Sequence, residues 1–212
     1  MYISIDVGIK NLAYVVYDKD IVEWKVVELC EKGQNASTLN MIDVGKKLFL
    51  ALEEIKHPIE HIIIENQIGQ NAIRMKMLQG MITFYYISRG KHDIHYWNAG
   101  NKLKRFIKGK TTYSQRKKFS VQITRSLAEK VFPSQKSYFE THKKKDDLAD
   151  CLLQLIDFLH KQNKLEPSME SLIDSLIDSL IDSLKQPIED TPKVKTPKDK
   201  ISKDKPKTNI QK

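Results

Sequence analysis

Alternating apolar and polar positions at the start of the chain predict two short β-strands joined by a sharp turn. The segment Tyr2–Tyr17 has the sequence YISIDVGIKNLAYVVY, in which a period of two is followed by a continuous β-rich run. Asp6 ends the first strand, and Gly8 falls at the turn, where the backbone needs conformational freedom. A third strand over Ile21–Leu29 follows a tight connection, so the three strands predict an antiparallel meander.

Apolar residues at helical spacing predict four helices further along the chain. Their predicted bounds are Leu39–Lys56, Asn71–Ser88, Gln115–Val131 and Lys143–Gln162. Two further strands are predicted at Ile59–Glu65 and Asp93–Trp97, and consecutive isoleucines in the first of them indicate burial on both faces. In the second helix, the residues predicted to share one core-facing side are Ile73, Met77, Met81, Phe84 and Tyr85.

Four acidic residues stand at strand ends or on the face of the last predicted helix. Asp6 and Glu65 each end a strand, whereas Asp147 and Asp150 are three residues apart and therefore neighbours on a helix. Plainer explanations exist, because Asp6 can start a turn, Glu65 can emerge into solvent and Asp147 can favour the helix dipole. Together, however, four carboxylates without histidine or cysteine suit Mg²⁺ or Mn²⁺.

Such a carboxylate set predicts a particular chemistry. Two ions roughly 4 Å apart can activate a water and stabilise the leaving oxygen in phosphodiester cleavage. A nearby lysine would neutralise the charge that develops on the phosphate. The residues therefore predict metal-dependent hydrolysis of a nucleic-acid strand.

The segment 98–118 is strongly basic and contains no acid. Its cations are Lys102, Lys104, Arg105, Lys108, Lys110, Arg116, Lys117 and Lys118. Ordinary solvated faces mix both signs of charge, so an acid-free run of this length favours phosphate contact over a merely solvated loop. Arg74, on the second predicted helix, could likewise point at phosphate or at water.

Composition narrows the partners and the compartment. The 212 residues carry a formal net charge of +9, which favours a polyanionic partner, nucleic acid before a membrane surface, although it can also serve solubility alone. Cys30 and Cys151 have apolar neighbours and no metal-ligand spacing, so reduced core cysteines are expected. No apolar run approaches the roughly 20 residues that span a bilayer. A soluble intracellular protein without a signal peptide is therefore expected.

Five stretches, taken in order, carry a resemblance to a known family. They are ISIDVGIKNLAYVVY, IIIENQ with the following NAIRMKMLQG, NAGNKLKRFIKG, YSQRKKFSV and KKKDDLADCLL. Over residues 1–162 they resemble the RuvC-type Holliday junction resolvases of the ribonuclease H-like superfamily, and they are most similar to the branch found in poxviruses and related large DNA viruses. An IDxG motif alone is shared with actin-like ATPases, but the final DDLAD makes the set specific, and this core is too short for the two lobes of such an ATPase.

The resemblance implies an α/β, ribonuclease H-like fold, with a central mixed five-stranded sheet whose first three strands are antiparallel, flanked by helices. The metal-binding and catalytic acids of the family would be Asp6, Glu65, Asp147 and Asp150. The assisting lysine would be Lys117, with Lys104 or Lys118 as alternatives. The metal would be Mg²⁺, with Mn²⁺ also suitable and two ions per active site. The predicted DNA-binding residues are Lys10, Arg74, Lys102, Lys104, Arg105, Arg116 and Lys118.

The family also implies a homodimer that binds a four-way DNA junction and nicks two opposed strands symmetrically. Bacterial members carry an aromatic wedge three residues after the glutamate, where this chain has Ile68, which leaves the mode of junction opening undefined. Two other functions stay open: a ribonuclease H-like nuclease on other branched DNA or RNA–DNA hybrids, and a non-catalytic junction-binding protein. A viral protein of this kind would be expected in the host cytoplasm, where viral DNA is processed.

Beyond a nuclease domain predicted at residues 1–165, the chain changes character. SLID occurs three times over residues 171–182, and the segment 166–185 predicts a short amphipathic helix. That helix could pack on the core or on a partner, or it could be a tolerated repeat expansion. Residues 186–212 are rich in lysine and proline and predict a disordered tail, which could add nonspecific DNA affinity or only solubility.

Overall fold

The computed structural model describes residues 1–69, 72–107, 109 and 111–184 of the chain. The strands are β1 (Tyr2–Val7), β2 (Asn11–Asp18), β3 (Asp20–Glu28), β4 (His61–Asn66) and β5 (Asp93–Asn98). The helices are α1 (Met41–Glu53), α2 (Ile73–Ile87), α3 (Tyr113–Lys130), α4 (Lys136–Thr141), α5 (Lys145–Lys161) and α6 (Pro167–Leu184), with short 3₁₀ turns at Ala99–Asn101 and Pro133–Gln135. The predicted tail at 186–212 lies outside the described residues.

The five strands form one mixed sheet in the order β3-β2-β1-β4-β5. β1, β2 and β3 pair antiparallel, as their tight connections predict, whereas β4 and β5 run parallel to β1. Parallel neighbours need crossover connections, and here α1 lies between β3 and β4 and α2 between β4 and β5 in the chain. The predicted fold, including its three antiparallel strands, is confirmed.

Side chains alternate between the two faces of the sheet, and each face contributes to a separate hydrophobic core. On one face, Ile3 and Ile5 of β1 pack with apolar residues of α1 and α2. On the other face, Ile63 of β4 packs with α3, α5 and α6. The three isoleucines of β4 are fully buried, as predicted for a strand covered on both faces.

α5 is fixed across the middle of the sheet by buried polar contacts as well as by its apolar side. Gln154 Nε2 donates to Ser4 Oγ at 3.0 Å and to the carbonyl oxygen of Ile5 at 3.1 Å. Trp24 Nε1 donates to the carbonyl oxygen of Leu148 at 3.1 Å. Buried hydrogen bonds of this kind are costly to break, so they set the register of α5 against β1.

α2 presents a different face to the core from the one predicted. Its buried residues are Leu78, Gln79, Ile82 and Tyr86, whereas Ile73, Met77 and Phe84 are 66%, 45% and 71% exposed. The prediction is therefore wrong for these three side chains. The physical reason is that α2 is apolar on both sides, so that hydrophobic periodicity fits either face equally well.

The SLID repeats form most of α6, and this helix packs on the domain core. Its buried apolar side chains join the core cluster of α3 and α5: Met169, Ile173, Leu176 and Ile177. Arg105, in the basic segment, donates to Asp174 at 2.7 Å and to Glu170 at 3.5 Å. Of the three alternatives that the sequence leaves open for this helix, the structure shows packing on the core. No described helix is both long and apolar enough to cross a membrane.

Candidate active site

Two of the predicted acids lie side by side at the ends of neighbouring strands. β1 and β4 are parallel, and their pairing runs up to Ile5 opposite Ile64, so the next residues, Asp6 and Glu65, are neighbours. By strand alternation both carboxylates project to the face that α5 covers. They are largely buried, with side chains 16% and 13% exposed.

The other two predicted acids come from the first turns of α5. Asp147 accepts a hydrogen bond from Asn11 Nδ2 at 3.1 Å, which ties the helix to the turn between β1 and β2. That turn requires Gly8, because a Cβ there would stand 2.6 Å from the carbonyl oxygen of Asn11. Asp150, one turn further along α5, is two-thirds buried. The structure thus brings all four predicted acids to one cavity of about 1040 Å³.

A buried lysine stands among these carboxylates. Lys102 Nζ lies 3.2 Å from Glu65 Oε1, 3.4 Å from Asp6 Oδ1 and 3.8 Å from Asp150 Oδ2. Its side chain is only 5% exposed. Lys102 is predicted from the basic run as a DNA-binding residue, and its burial among the acids is not predicted. The charge run in the sequence is visible, but which of its members turns inward is not.

Burial and crowding set the pKa values of the cluster. Burial, with the hydrogen bond and charge of Asp6, raises the pKa of Glu65 to about 8. Burial also raises the pKa of Asp150 to about 6, although the Lys102 ammonium opposes the rise. The pKa of Asp147 is raised by burial and by the nearby Asp146 charge. Burial would lower the pKa of Lys102, but the surrounding carboxylates outweigh it and raise that pKa.

Lys117, the predicted assisting lysine, lies at the rim of the same cavity. It is 46% exposed and donates to Asp146 Oδ2 at 2.8 Å. This hydrogen bond raises the pKa of Lys117, and it lowers the pKa of Asp146 in spite of that carboxylate's burial. Asp146 thus holds a protonated lysine beside the acids, a contact that sequence analysis does not predict.

The remaining predicted DNA-binding residues fall into two groups. Lys10, Lys104, Arg116 and Lys118 are exposed, as a DNA contact requires. Arg74 instead donates to the backbone carbonyls of Ser37 and Leu39, and Arg105 is engaged by α6. The structure therefore gives these two arginines roles within the protein.

Three polar residues that support the site are not found by sequence reasoning. Asn11 holds Asp147, Gln154 anchors α5 to β1, and Gln67 Nε2 donates to Glu65 Oε2 at 3.1 Å. Gln67 is fixed in turn, because its backbone N–H donates to Gln79 at 3.0 Å. The signal in the sequence is weak, since each is a single amide within or beside an apolar run.

The donor set fits a hard divalent cation, because carboxylate oxygens are the ligands that Mg²⁺ and Mn²⁺ prefer. The crowding that raises the pKa of Glu65 is also the condition that a bound cation relieves. Within residues 1–69, 72–107, 109 and 111–184, however, no three acids, histidines or cysteines are gathered closely enough to hold a metal as they stand. The carboxylates are arranged around the Lys102 ammonium instead.

Comparisons with known proteins agree with this fold. The sequence model of the family described as Poxvirus A22 protein matches residues 1–161. No curated protein matches significantly. The crystal structure of the fowlpox virus Holliday junction resolvase is similar, with a TM-score of 0.55 and 14% identity over 76% of this chain and 98% of that chain. The Thermus thermophilus RuvC structure gives a TM-score of 0.51 and 12% identity over 76% of this chain and 96% of that chain.

The mixed sheet, its strand order and its flanking helices give the chain a RuvC-like fold of the ribonuclease H-like class. The chain belongs to the poxvirus A22 protein family, whose model covers all of it from β1 to the end of α5. The resemblance found from the sequence motifs is confirmed.

Proposed function

We propose that this protein is a Holliday junction resolvase, a metal-dependent endonuclease that nicks opposed strands of a four-way DNA junction. The observation that carries the proposal is the convergence of Asp6, Glu65, Asp147 and Asp150 on one cavity in a chain of the A22 family. The similar fold of the fowlpox virus Holliday junction resolvase supports the choice of substrate.

The four carboxylates would hold Mg²⁺ or Mn²⁺, with two ions per site, and a bound metal would supply an activated water and a counter-charge for the cleaved phosphate. The chain's own residues do the rest. Lys117, kept protonated by Asp146, would contact a DNA phosphate bound at the mouth of the cavity. Arg116 lines the same cavity and would bind the strand that enters it.

Cleavage of a synthetic four-way junction tests the proposal. We expect paired symmetric nicks from the wild type with Mg²⁺ or Mn²⁺, and a loss of at least about 100-fold in rate for Asp147→Asn, with junction binding retained. Asp43→Asn is the matched control, because Asp43 is an exposed acid on α1 that pairs with Lys46 three residues away.

Each other outcome assigns a different function. Cutting of other branched DNA or RNA–DNA hybrids in preference to junctions would indicate a ribonuclease H-like nuclease of different specificity. Junction binding without cleavage by either metal would indicate a non-catalytic binding protein. The carboxylate set argues against the latter, because a binding protein has no need for four converging acids.

We also propose that the protein acts as a homodimer through α2, since two opposed nicks call for two active sites. Four exposed apolar residues fall on one stripe of this helix, opposite its buried side: Ile73, Met77, Phe84 and Ile87. Gly80 lies at the middle of the stripe, where a Cβ would meet nothing within 4 Å. A helix that is apolar on both sides is usually covered on both sides.

The viral family favours the host cytoplasm as the place of action.

A further inference from the structure

Lys102 is unusual because a lysine is rarely buried so deeply unless its charge is paired. Here three carboxylates from β1, β4 and α5 share one ammonium group, and all three belong to the four proposed metal ligands. The same oxygen atoms cannot hold a divalent cation and the ammonium group in one place, because two cations at such short distances repel each other strongly.

We propose that Lys102 is an intramolecular counter-ion that a divalent metal must displace, so that metal loading moves the Lys102 side chain out of the acidic cluster. The inference rests on the proposed metal-dependent function and adds a residue that opposes metal binding. It also accounts for the spread of the acids, which are spaced around an ammonium group rather than gathered as metal ligands.

The surroundings allow this displacement without unfolding. Lys102 follows the 3₁₀ turn Ala99–Asn101, whose start is held by a 2.8 Å hydrogen bond from the Gly100 N–H to Asn98 Oδ1. Three residues later, Arg105 is tied to α6. The segment is thus held on both sides of Lys102, while the side chain itself borders the open cavity and has four rotatable bonds.

The sign of the change in metal affinity on removing the Lys102 charge separates competition with the metal from mere positioning of the carboxylates. If Lys102 only positions the carboxylates, removing its charge scatters them and weakens metal binding. If Lys102 competes with the metal, removing its charge strengthens metal binding. A positively charged replacement of Lys102 should still compete with the metal for the carboxylates.

Calorimetric titration of the full chain with Mn²⁺, without DNA, measures this sign. We expect Lys102→Met to bind Mn²⁺ roughly tenfold tighter than wild type or better, because a neighbouring positive charge is removed. Lys102→Arg should stay near the wild-type affinity. Lys32→Met is the control for Mn²⁺ affinity, because Lys32 is an exposed lysine outside the cavity that the four acids line. Equal or weaker Mn²⁺ binding by Lys102→Met overturns the inference.

A second measurement uses the wild type and so does not depend on how the methionine variant folds. In ¹⁵N-lysine spectra, a buried ammonium group held by carboxylates exchanges its protons slowly, and Lys102→Arg assigns its signal. We expect that signal to disappear or shift to solvent-exposed values on addition of Mg²⁺, whereas persistence at saturating Mg²⁺ overturns the inference. Failure of the wild type to bind either metal overturns the metal-dependent function as well, whereas binding with Lys102 undisturbed leaves that function standing.

Discussion

Glu65 and Asp6 illustrate at the residue scale how neighbours decide the state of an ionisable group. Both sit at strand ends, where an acid is ordinary, but burial under α5 and mutual repulsion make one of them hold its proton to about pH 8. The cluster is therefore more stable when it is partly protonated or when a cation lies close to it. Burying these acids lowers the stability of the folded state, which is common at sites built for chemistry.

This cost predicts a pH dependence. The pKa of folded Glu65, about 8, exceeds its ordinary value of 4.5, so its contribution to stability is complete below the ordinary value and is lost as the pH rises through about 8. With a chelator present, we expect the Tm of wild type minus that of Glu65→Gln to fall by a few degrees between about pH 6 and about pH 9, since 1 kcal/mol corresponds to about 2–4 °C at this size. Calorimetry checks it. A difference that stays constant or grows would contradict the assigned shift.

At the scale of elements, periodicity predicts existence and type better than orientation. The strand of β4 and the apolar stripe of α5 each have one consistent arrangement, so their places in the fold follow from sequence. α2 is apolar on both sides, and its buried face is decided by tertiary packing rather than by its own pattern. α6 has the same difficulty, because nothing within the SLID repeats tells a core from a partner.

In the candidate site, too, some features are predicted from the sequence and others are not. The convergence of Asp6, Glu65, Asp147 and Asp150 is predicted because two of them end strands, two are neighbours near the start of one helix, and all four match a family pattern. The burial of Lys102 is not predicted, because inward-facing and outward-facing lysines of one basic run have the same pattern in the sequence. Contacts such as Asn11 with Asp147 join residues 136 positions apart, and no local pattern announces them.

The packing of α6 predicts opposite outcomes for adjacent residues of one SLID repeat. Ile173 is fully buried, whereas Leu172 is 49% exposed. We expect Ile173→Asp to lower the free energy of unfolding by about 3 kcal/mol or more, because it buries an unpaired carboxylate. Leu172→Asp is the matched control and should change it by less than about 1 kcal/mol. Urea unfolding measures both, and similar effects of the two would mean that α6 does not pack as described.

For the whole molecule, the exposed stripe on α2 is the feature that a single copy leaves unexplained. The stripe lies on the helix side opposite the sheet, so that a second copy could cover it without disturbing either core. A two-fold arrangement would bring the same surface of each copy together, with Gly80 allowing close approach of the helices.

We therefore expect Phe84→Glu to convert a dimer to a monomer without unfolding it, because Phe84 is 71% exposed and its replacement places a charge in an apolar contact. Leu50→Glu is the matched control, since Leu50 is 60% exposed but lies on α1. Sedimentation analysis gives the mass, and circular dichroism tests folding. A wild type that is monomeric at all concentrations, or a Phe84→Glu variant that stays dimeric, would exclude this interface.

The docking of α5 on β1 has a consequence for biosynthesis. The meander that carries Asp6 is synthesised before the helix that carries Asp147 and Asp150, which follows more than a hundred residues later. Until that helix is synthesised and its Gln154 has reached Ser4, the acids do not share a cavity. A nascent chain or a fragment that ends before α5 therefore lacks the assembled cluster of four acids.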